Sequence, residues 1–256
     1  MPAKPIVPWI GGKRRPLKQL LPLPPHHSYI EPFAGGAAVL FAKPPSKNEV
    51  INDLHGELSN LYRVVKHHLD ELLRHFKWTL TSRQQWMWHQ AETPEPLTDV
   101  QRAARFFFLQ KMAFGGKVAG QTFGVSPESP PRLNLTRLEE DLSHAHLRLA
   151  RVWIETLPWQ ECVRRYDRPR ALFFVDPPYW KTEGYGRPFP WPEYVELEER
   201  LRLARGNVII TLNAHPDIKA LFARPEWSTE AVKIGYTVAG GHRPTDSTEL
   251  IIRKRR

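Results

Sequence analysis

Cysteine is almost absent from this chain, because Cys162 is the only one among 256 residues. A single cysteine excludes an intrachain disulfide and a cysteine-based zinc site. Long apolar runs are absent too: no stretch approaches the roughly 20 residues of a membrane-spanning helix, and no signal-peptide pattern opens the chain. No pair of histidines has a convincing metal-binding spacing. We therefore expect no metal, no membrane contact and a cytoplasmic location.

Acidic residues are in the minority, since 27 Asp and Glu stand against 37 Lys and Arg, and the formal charge is +10. This excess favours a polyanionic partner such as nucleic acid. Nine tryptophans are many for this length, and Trp78, Trp86 and Trp88 lie around Arg83. Aromatic faces beside cations suit stacking on unpaired bases, although core packing is the commoner use of tryptophan.

The most informative feature is an apolar run that breaks into Asp176-Pro-Pro-Tyr179. Residues 172–175 predict a buried strand, and two prolines cannot continue its ladder. A carboxylate and an aromatic ring are therefore held at the carboxyl end of a strand, the edge where open α/β sheets bind ligands. Such a site suits a planar ring that bears an amine. A purely structural turn is the alternative.

A second candidate site is the small-residue turn of Glu31-Pro-Phe-Ala-Gly-Gly36. Its glycines let the backbone approach a ligand, and the start of the next helix offers N–H groups. Asp53 ends the following strand about 20 residues on, where Rossmann-like folds place an acid against ribose hydroxyls. Capping of the next helix is the alternative role for Asp53. Trp9-Ile-Gly-Gly-Lys13 adds a ring and a cation, and together these turns indicate an adenosine-bearing cofactor beside a planar base.

The order of the remaining elements predicts an α/β fold with a parallel sheet. Strands are predicted at 28–33, 49–52, 172–175, 207–212, 232–238 and 250–253. Helices are predicted from residue 39, over 54–76, 101–112 and 138–152, and over 194–203. Residues 114–120 predict a turn or hairpin. The tail Arg253-Lys-Arg-Arg256 is expected to fray in solvent.

Four motifs follow one another along the chain: Trp9-x-Gly-Gly-Lys13, Glu31-Pro-Phe-x-Gly35, Asp53 and Asp176-Pro-Pro-Tyr179. In this order they resemble the motifs of Dam-like, alpha-group DNA adenine-N6 methyltransferases. The resemblance implies an α/β, Rossmann-like S-adenosylmethionine-dependent methyltransferase fold with an inserted, mainly helical target-recognition region. It implies that residues 1–76 and 137–256 form the two parts of the catalytic domain and that 77–136 form the insertion.

The resemblance also implies roles for individual residues. The S-adenosylmethionine pocket would be lined by Trp9, Lys13, Glu31, Phe33, Gly35 and Asp53, with Asp53 on the ribose, and by Asp176. The target adenine would be held by Asp176, Pro177 and Tyr179. Phe114-Gly-Gly116 resembles the hairpin that enters DNA beside the flipped base. We expect DNA contacts at Arg83, Lys111, Phe114, Lys117 and Arg132.

Three positions depart from the pattern of the family. Ala37 replaces the glycine that often ends the Phe-x-Gly-x-Gly motif, and we expect cofactor binding to survive the extra methyl group. Pro8 stands where a lysine commonly precedes the tryptophan, so one DNA contact is missing. Gly115 occupies the usual asparagine position of the hairpin, so the usual target sequence is not implied.

The predicted function is site-specific transfer of a methyl group from S-adenosylmethionine to the N6 amine of a flipped adenine in duplex DNA. We expect a DNA-associated, bacterial or phage-encoded enzyme of the restriction-modification type, acting as a monomer, with a dimer as the alternative. Other functions stay open. Methylation of cytosine N4 or of a protein glutamine uses the same kind of tetrad, commonly with Asn or Ser in first position, so Asp176 favours adenine. An RNA adenine-N6 methyltransferase usually lacks the N-terminal tryptophan motif and the long insertion. A non-catalytic DNA-binding protein would be expected to have lost the acid or the ring of the tetrad.

Overall fold

The structure is a computed structural model that describes residues 3–13, 16–124, 128, 130–182, 186, 188–236 and 245–255. Its described strands are β1 (Ser28–Glu31), β2 (Asn48–Asn52), β3 (Val152–Glu155), β4 (Ala171–Val175), β5 (Asn207–Asn213), β6 (Trp227–Tyr236) and β7 (Thr245–Lys254). They form one sheet in the order β3-β2-β1-β4-β5-β7-β6. Strands β1 to β5 pair in parallel, whereas β7 runs antiparallel to both of its neighbours. This sheet is the expected Rossmann-like arrangement.

The strand order reverses between β1 and β4, because the chain builds outward from β1 to β3 and then returns to the other side. In open α/β sheets such a switch point leaves a crevice at the carboxyl ends of the strands. Two sequence motifs flank this point: the turn after β1 carries the glycines, and Asp176 follows β4 directly. The topology therefore brings the predicted cofactor turn and the predicted adenine turn to one place.

The helices that cover the sheet are α1 (Leu17–Leu20), α2 (Ala38–Ala42), α3 (Gly56–His67), α4 (Leu69–Phe76), α5 (Arg83–Ala91), α6 (Asp99–Met112), α7 (Leu135–Leu149), α8 (Trp159–Tyr166), α9 (Trp191–Leu203) and α10 (Pro216–Leu221). A 3₁₀ turn lies at Phe114–Gly116. Thr98 begins α6 with a capping box, in which its side chain and that of Gln101 each accept the other residue's backbone N–H. This reciprocal capping satisfies two donors at the start of the helix.

The core has two layers, one on each face of the sheet. Strand β4 is buried along its whole length, and its side chains alternate between the layers. Leu172 and Phe174 join the layer that contains the apolar residues of α3, α6 and α7. Phe173 and Val175 join the layer under α8, α9 and α10. A strand buried on both faces explains why its sequence is continuously apolar.

The segment 77–136 shares this core. Trp86 of α5 and Phe107 and Phe108 of α6 belong to the same buried cluster as the residues of α3 and α7. Helix α6 packs directly on α3, and the Arg102 guanidinium pairs with Glu57 of that helix. The target-recognition role of 77–136 and the boundaries of the two catalytic parts stay predictions.

Two predicted helices are wrong in their extent. The helix predicted over 54–76 is two helices, because His68 leaves the helical region with φ −136° and ψ 41°. The helix predicted over 138–152 ends at Leu149, and Val152 begins β3 instead. Val152 follows Leu149 at a helical spacing, so the periodicity alone could not separate the two elements.

Other elements were not predicted from the sequence. They are α1, α5, α8, α10 and the edge strand β3, which has only four residues and one fully buried side chain. Of the strand predicted at 232–238, residues 237 and 238 lie outside the described residues, and the described strand begins earlier, at Trp227. Within the described part of the chain, no helix is both long and apolar enough to cross a membrane.

Candidate active site

One cavity of about 570 Å³ opens at the carboxyl ends of the central strands. All of the predicted cofactor residues line it: Trp9, Lys13, Glu31, Phe33, Gly35, Asp53 and Asp176. Four separate segments of the sequence therefore meet in one cavity. This volume lies within the range of about 300 to 1,000 Å³ that is typical of small-molecule sites.

The turn after β1 is held from both sides at Gly35. Its N–H donates to Asp53 Oδ2 at 2.9 Å, and its carbonyl accepts from the Tyr62 hydroxyl at 2.7 Å. Gly35 has φ +47°, and a Cβ there would stand 2.6 Å from Cδ1 of Trp9. Only glycine fits this position, because the backbone is left-handed and the indole ring packs directly on it.

The Asp53 carboxylate orients two loops around the cavity. Its Oδ2 binds Gly35, and its Oδ1 accepts from the His55 N–H at 2.9 Å. The side-chain cap of α3 is His55, whose Nδ1 accepts from the Leu58 N–H at 3.3 Å. The capping alternative for Asp53 is therefore wrong. A carboxylate oxygen can accept more than one hydrogen bond, so these contacts are compatible with a ligand hydroxyl at Asp53.

Glu31 is a buried carboxylate at the end of β1, only 2% exposed. Its Oε1 accepts from the Tyr29 hydroxyl at 2.7 Å and from the Leu40 N–H of α2 at 2.9 Å. Burial raises the pKa of Glu31 to about 7, against the opposing effect of these two hydrogen bonds, and the charge of Asp176 adds to the rise. Near neutral pH this group can therefore switch between its neutral and charged forms.

Asp176 lies at the end of β4 with two polar partners. The Lys13 ammonium is 2.7 Å from its Oδ1, and the Thr211 hydroxyl of β5 donates to the same oxygen at 2.8 Å. Burial raises the pKa of Asp176 to about 6, and Lys13 opposes the rise while Glu249 adds to it. The side chain is 20% exposed, toward the cavity that it lines.

The rest of the tetrad is fixed by contacts to α9 and β5. The Tyr194 hydroxyl donates to the Pro178 carbonyl at 2.6 Å. The Asn213 side chain accepts from the Trp180 N–H at 3.1 Å and donates to the Trp180 carbonyl at 3.0 Å. Pro177 is buried, and the half-buried Tyr179 ring has the Lys13 ammonium 4.8 Å from its centre. The turn is therefore rigid, and its acid and ring share one cation.

Several cavity residues were missed by the sequence analysis. The loop after β3 supplies Leu157 and Pro158, and the start of α8 supplies Trp159 and Gln160. The segment that leads into α9 supplies Phe189, and the first turn of α9 supplies Glu193. Trp159 lies 6.3 Å from Phe33 between ring centres and donates to Glu193 at 2.7 Å. The sequence offered one usable signal, a tryptophan shortly after the short apolar run that forms β3, but that strand was not predicted because its first residue, Val152, continues the helical spacing of α7.

The structure shows the surroundings of two positions that depart from the family pattern. Ala37 has φ +49°, a left-handed backbone that favours glycine, so an alanine here is mildly strained. The Pro8 carbonyl accepts from the Gln110 side chain at 2.9 Å, and the same amide group donates to the Gly116 carbonyl. The N-terminal motif is thus tied to the turn at Phe114–Gly116.

The predicted DNA contacts do not line the cavity. The turn predicted at 114–120 is present and is closed by flanking pairs: Ala113 pairs with Phe123, and the Phe114 N–H donates to the Thr122 carbonyl at 2.8 Å. This turn packs beside Trp9, because the Ile10 N–H donates to the Gly116 carbonyl. It therefore lies next to the mouth of the site.

The cationic side chains of that region are dispersed. The Arg132 guanidinium donates to the Ala113 carbonyl at 3.1 Å, and Arg83 lies 4.9 Å from the Phe123 ring. Lys111 lies 5.2 Å from the Phe107 ring, and Lys117 is exposed. Arg132 and Arg83 therefore also support the turn. DNA binding by these residues stays a prediction.

The sheet is Rossmann-like, and its cavity lies at the switch point. Acids and aromatic rings line this cavity, and an Asp-Pro-Pro-Tyr turn borders it. These features are typical of the class of methyltransferases that act on the amines of planar bases. A family model described as "D12 class N6 adenine-specific DNA methyltransferase" matches residues 9–186, more than half of the chain. The chain belongs to this family. It is a DNA adenine-N6 methyltransferase, as its motifs predicted.

The chain is also similar in sequence to three type II methyltransferases. The chain is 27% identical over 227 residues to the type II methyltransferase M.CviBI of Paramecium bursaria Chlorella virus NC1A, covering 86% of each chain. It is 27% identical over 206 residues to the type II methyltransferase M.MjaIII of Methanocaldococcus jannaschii, covering 70% of each. With the type II methyltransferase M1.LlaDCHI of Lactococcus lactis subsp. cremoris it shares 31% over 131 residues, which is 44% of this chain and 42% of the relative.

Proposed function

We propose that this chain uses S-adenosylmethionine to methylate the N6 amine of an adenine that has been flipped out of duplex DNA. The observation that carries the proposal is that Asp176 borders the same cavity as Glu31 and Asp53. A methyl donor in that cavity and an adenine held by Asp176 would be neighbours. Such proximity of two oriented reactants supplies much of the acceleration in group-transfer reactions.

The residues that line the cavity suit S-adenosylmethionine in their charge and in their aromatic surface. Its walls combine carboxylates with the rings of Trp9, Phe33 and Trp159. S-adenosylmethionine bears a sulfonium and an ammonium group, and the ionised Glu31 would attract such cations. Asp53 would accept hydrogen bonds from the ribose, and the rings would cover the adenosine. When bound, the cofactor supplies an electrophilic methyl group.

Asp176 and its neighbours would orient the adenine. The amine of adenine is a poor nucleophile, because its lone pair is delocalised into the ring. Hydrogen bonds from the amine to the Asp176 carboxylate and the Pro177 carbonyl would favour a pyramidal nitrogen, with its lone pair aimed at the methyl group. Stacking on Tyr179 would return roughly 1–3 kcal/mol per base, against an unstacking cost of a few kcal/mol.

The turn at Phe114–Gly116 is proposed to occupy the gap that the flipped base leaves. Its position beside Trp9 supports this role, since it is next to the cavity and outside it. Arg83, Lys111, Lys117 and Arg132 are proposed to contact DNA, and 77–136 to recognise the target sequence. A monomeric state and a cytoplasmic location stay predictions.

The Asp176→Ala variant tests the proposed adenine site. We expect tritiated methyl transfer to long unmethylated DNA to fall by about 10² or more, comparable to the loss of a single transition-state hydrogen bond. DNA binding should persist in a gel-shift assay, because the basic surface is unchanged. Full methyl transfer by the variant would remove Asp176 from the chemistry.

The Asp53→Asn variant tests the cofactor site, and Asp167→Asn is its control. Both aspartates accept two backbone N–H groups, Asp53 from Gly35 and His55 and Asp167 from Arg205 and Gly206. Only Asp53 lines the cavity. We expect calorimetry to show roughly tenfold or weaker S-adenosylmethionine binding for Asp53→Asn, since a hydrogen bond to a charged group contributes about 1.5–3 kcal/mol. Equal binding by the two variants would contradict the assignment.

The choice of duplex DNA over RNA needs a direct comparison. Labelled S-adenosylmethionine should transfer its methyl group to unmethylated duplex DNA faster than to single-stranded DNA or RNA of the same sequence. Preference for RNA would instead support the RNA methyltransferase alternative.

A further inference from the structure

A second cavity, of about 640 Å³, opens at the edge of the sheet opposite the candidate active site. Four cationic residues line it, Arg170, Arg205, Lys254 and Arg255, together with Pro25, His26, Pro169, Gly206 and Asn207. None of these described lining residues is acidic. We call this cavity the amino-edge groove.

The topology of the sheet explains why cations distant in sequence meet there. Arg170 directly precedes β4, and Arg205 lies in the turn before β5. Because β7 runs antiparallel to β5, its carboxyl end reaches the edge where those strands begin. The tail was expected to fray, but Lys254 ends β7, and the Arg255 N–H donates to the Glu226 carbonyl at 2.8 Å. Arg256 lies outside the described residues.

The backbone of the groove is fixed before any ligand binds. The Asp167 carboxylate accepts from the Arg205 N–H at 2.8 Å and from the Gly206 N–H at 3.0 Å. Gly206 packs so closely that a Cβ there would stand 2.8 Å from the Ala171 carbonyl oxygen. The His26 ring lies 2.7 Å from both the Pro24 carbonyl and the Ser46 hydroxyl. The two turns and the tail are therefore held in place.

The cationic side chains, by contrast, are largely available. Among the described residues, the guanidinium groups of Arg170, Arg205 and Arg255 have no hydrogen bond or ion pair. The Lys254 ammonium donates to the Ala204 carbonyl. Burial and the nearby Arg202 lower the pKa of Lys254, whereas Asp167 opposes this change. Concentrated positive charge on a rigid backbone suits a multiply charged anion, and guanidinium groups match phosphate in a bidentate geometry.

We propose that the amino-edge groove binds phosphate groups of a second DNA segment while the first lies at the active site. The placement of the first segment rests on the proposed function. Arg170 and Asp176 lie at opposite ends of β4, about 20 Å apart at 3.3 Å per residue, with the core between them. A straight duplex at the active site cannot reach this groove. DNA is favoured as the source of phosphate because the enzyme acts on that polymer.

The test uses the triple variant Arg170→Gln/Arg205→Gln/Arg255→Gln. Its control is Arg74→Gln/Arg151→Gln/Lys219→Gln, which removes the same charge from exposed positions elsewhere. The probe is a nonspecific duplex of little more than one helical turn, counted per chain by native mass spectrometry. We expect two duplexes on wild type and control and one on the triple variant. Methyl transfer by the triple variant to long unmethylated DNA should remain, which separates this proposal from the proposed function.

Other outcomes would overturn the proposal. They are one duplex per chain on wild type, or two on the triple variant. A milder variant, Arg255→Gln, tests a single contact. A plot of log affinity for the second duplex against log salt concentration has a negative slope, and loss of one phosphate contact should make that slope less steep by about 0.9. An unchanged slope would also contradict the proposal. Calorimetry with inorganic phosphate separates a small-anion site from DNA. Arginine-dependent phosphate binding with only one bound duplex would assign the groove to free phosphate instead.

Discussion

The ammonium of Lys13 lies 2.7 Å from Oδ1 of Asp176, although 163 positions separate the two residues in the chain. This ion pair joins the N-terminal motif to the catalytic turn. It also occupies one of the two oxygens of the carboxylate that is proposed to hold the adenine amine. Because burial raises the pKa of Asp176 while Lys13 lowers it, Lys13 favours the charged acceptor on which the proposed chemistry depends.

The variant Lys13→Met should therefore shift the pH dependence of methyl transfer. Without the ammonium, the pKa of Asp176 rises above about 6, so a larger fraction of the carboxyl group is protonated near neutral pH. We expect the acid limb of the kcat/KM profile to move to higher pH, with a greater loss at pH 6.5 than at pH 8.5. Lys181→Met is the control, since Lys181 is exposed and pairs with Asp217. An equal loss at every pH would show that Lys13 does not act through Asp176.

The variant Glu31→Gln should stabilise the cofactor-free protein at high pH. The pKa of Glu31 is about 7 in the folded chain and 4.5 in the reference state, so its favourable contribution is complete below pH 4.5 and is lost as pH rises through 7. Glutamine keeps the acceptor for Tyr29 and Leu40 without the buried charge. We expect its advantage over wild type in free energy of unfolding to increase by on the order of 1–3 kcal/mol between pH 5 and pH 8. Urea titrations at both values would measure it, and a constant difference would contradict the burial argument.

The variant Gly35→Ala should damage the cofactor site, whereas Gly120→Ala should not. Both glycines have a left-handed backbone, with φ +47° and +59°, so both substitutions carry a similar strain of about 1–2 kcal/mol. Only at Gly35 would the new methyl group meet the Trp9 ring, whereas nothing lies within 4 Å at Gly120. We expect calorimetry to show S-adenosylmethionine binding weakened at least about tenfold by displacement of Trp9, because overpacking typically costs about 1–3 kcal/mol. Comparable binding by the two variants would mean that the indole does not shape the pocket.

The variant Arg148→Ala should destabilise the fold far more than Arg164→Ala. Arg148 of α7 donates to Glu49 of β2 at 2.5 and 2.8 Å, and Glu49 is 3% exposed. Removing one partner of a buried pair typically costs about 3–5 kcal/mol, and because Glu49 keeps its ion pair with Lys43 we expect a loss near the lower end of this range. Arg164 pairs with Glu161 on the surface, where solvent screens the pair and its contribution to stability is small. Denaturant titration of both variants gives the comparison, and equal destabilisation would assign no structural role to the buried pair.

The sequence by itself determined the chemistry and most of the central sheet. Residues 171–175 could form little other than a buried strand, because every one is apolar and prolines follow directly. Asp53 and the glycines after Glu31 were recognisable because strand ends and tight turns restrict which residues fit. Each of these features depends on residues that are neighbours in the chain, so the sequence alone is enough to predict it.

Only the tertiary structure decided which distant groups meet. Lys13 reaches Asp176, Trp159 faces Phe33, and Arg255 joins Arg170 because the sheet order places their segments side by side. The short edge strand β3 escaped prediction for the same reason: with one fully buried side chain, its extended form depends on pairing with β2. Contacts between distant segments depend on the packing of the whole sheet, and the local periodicity of the sequence does not encode that packing.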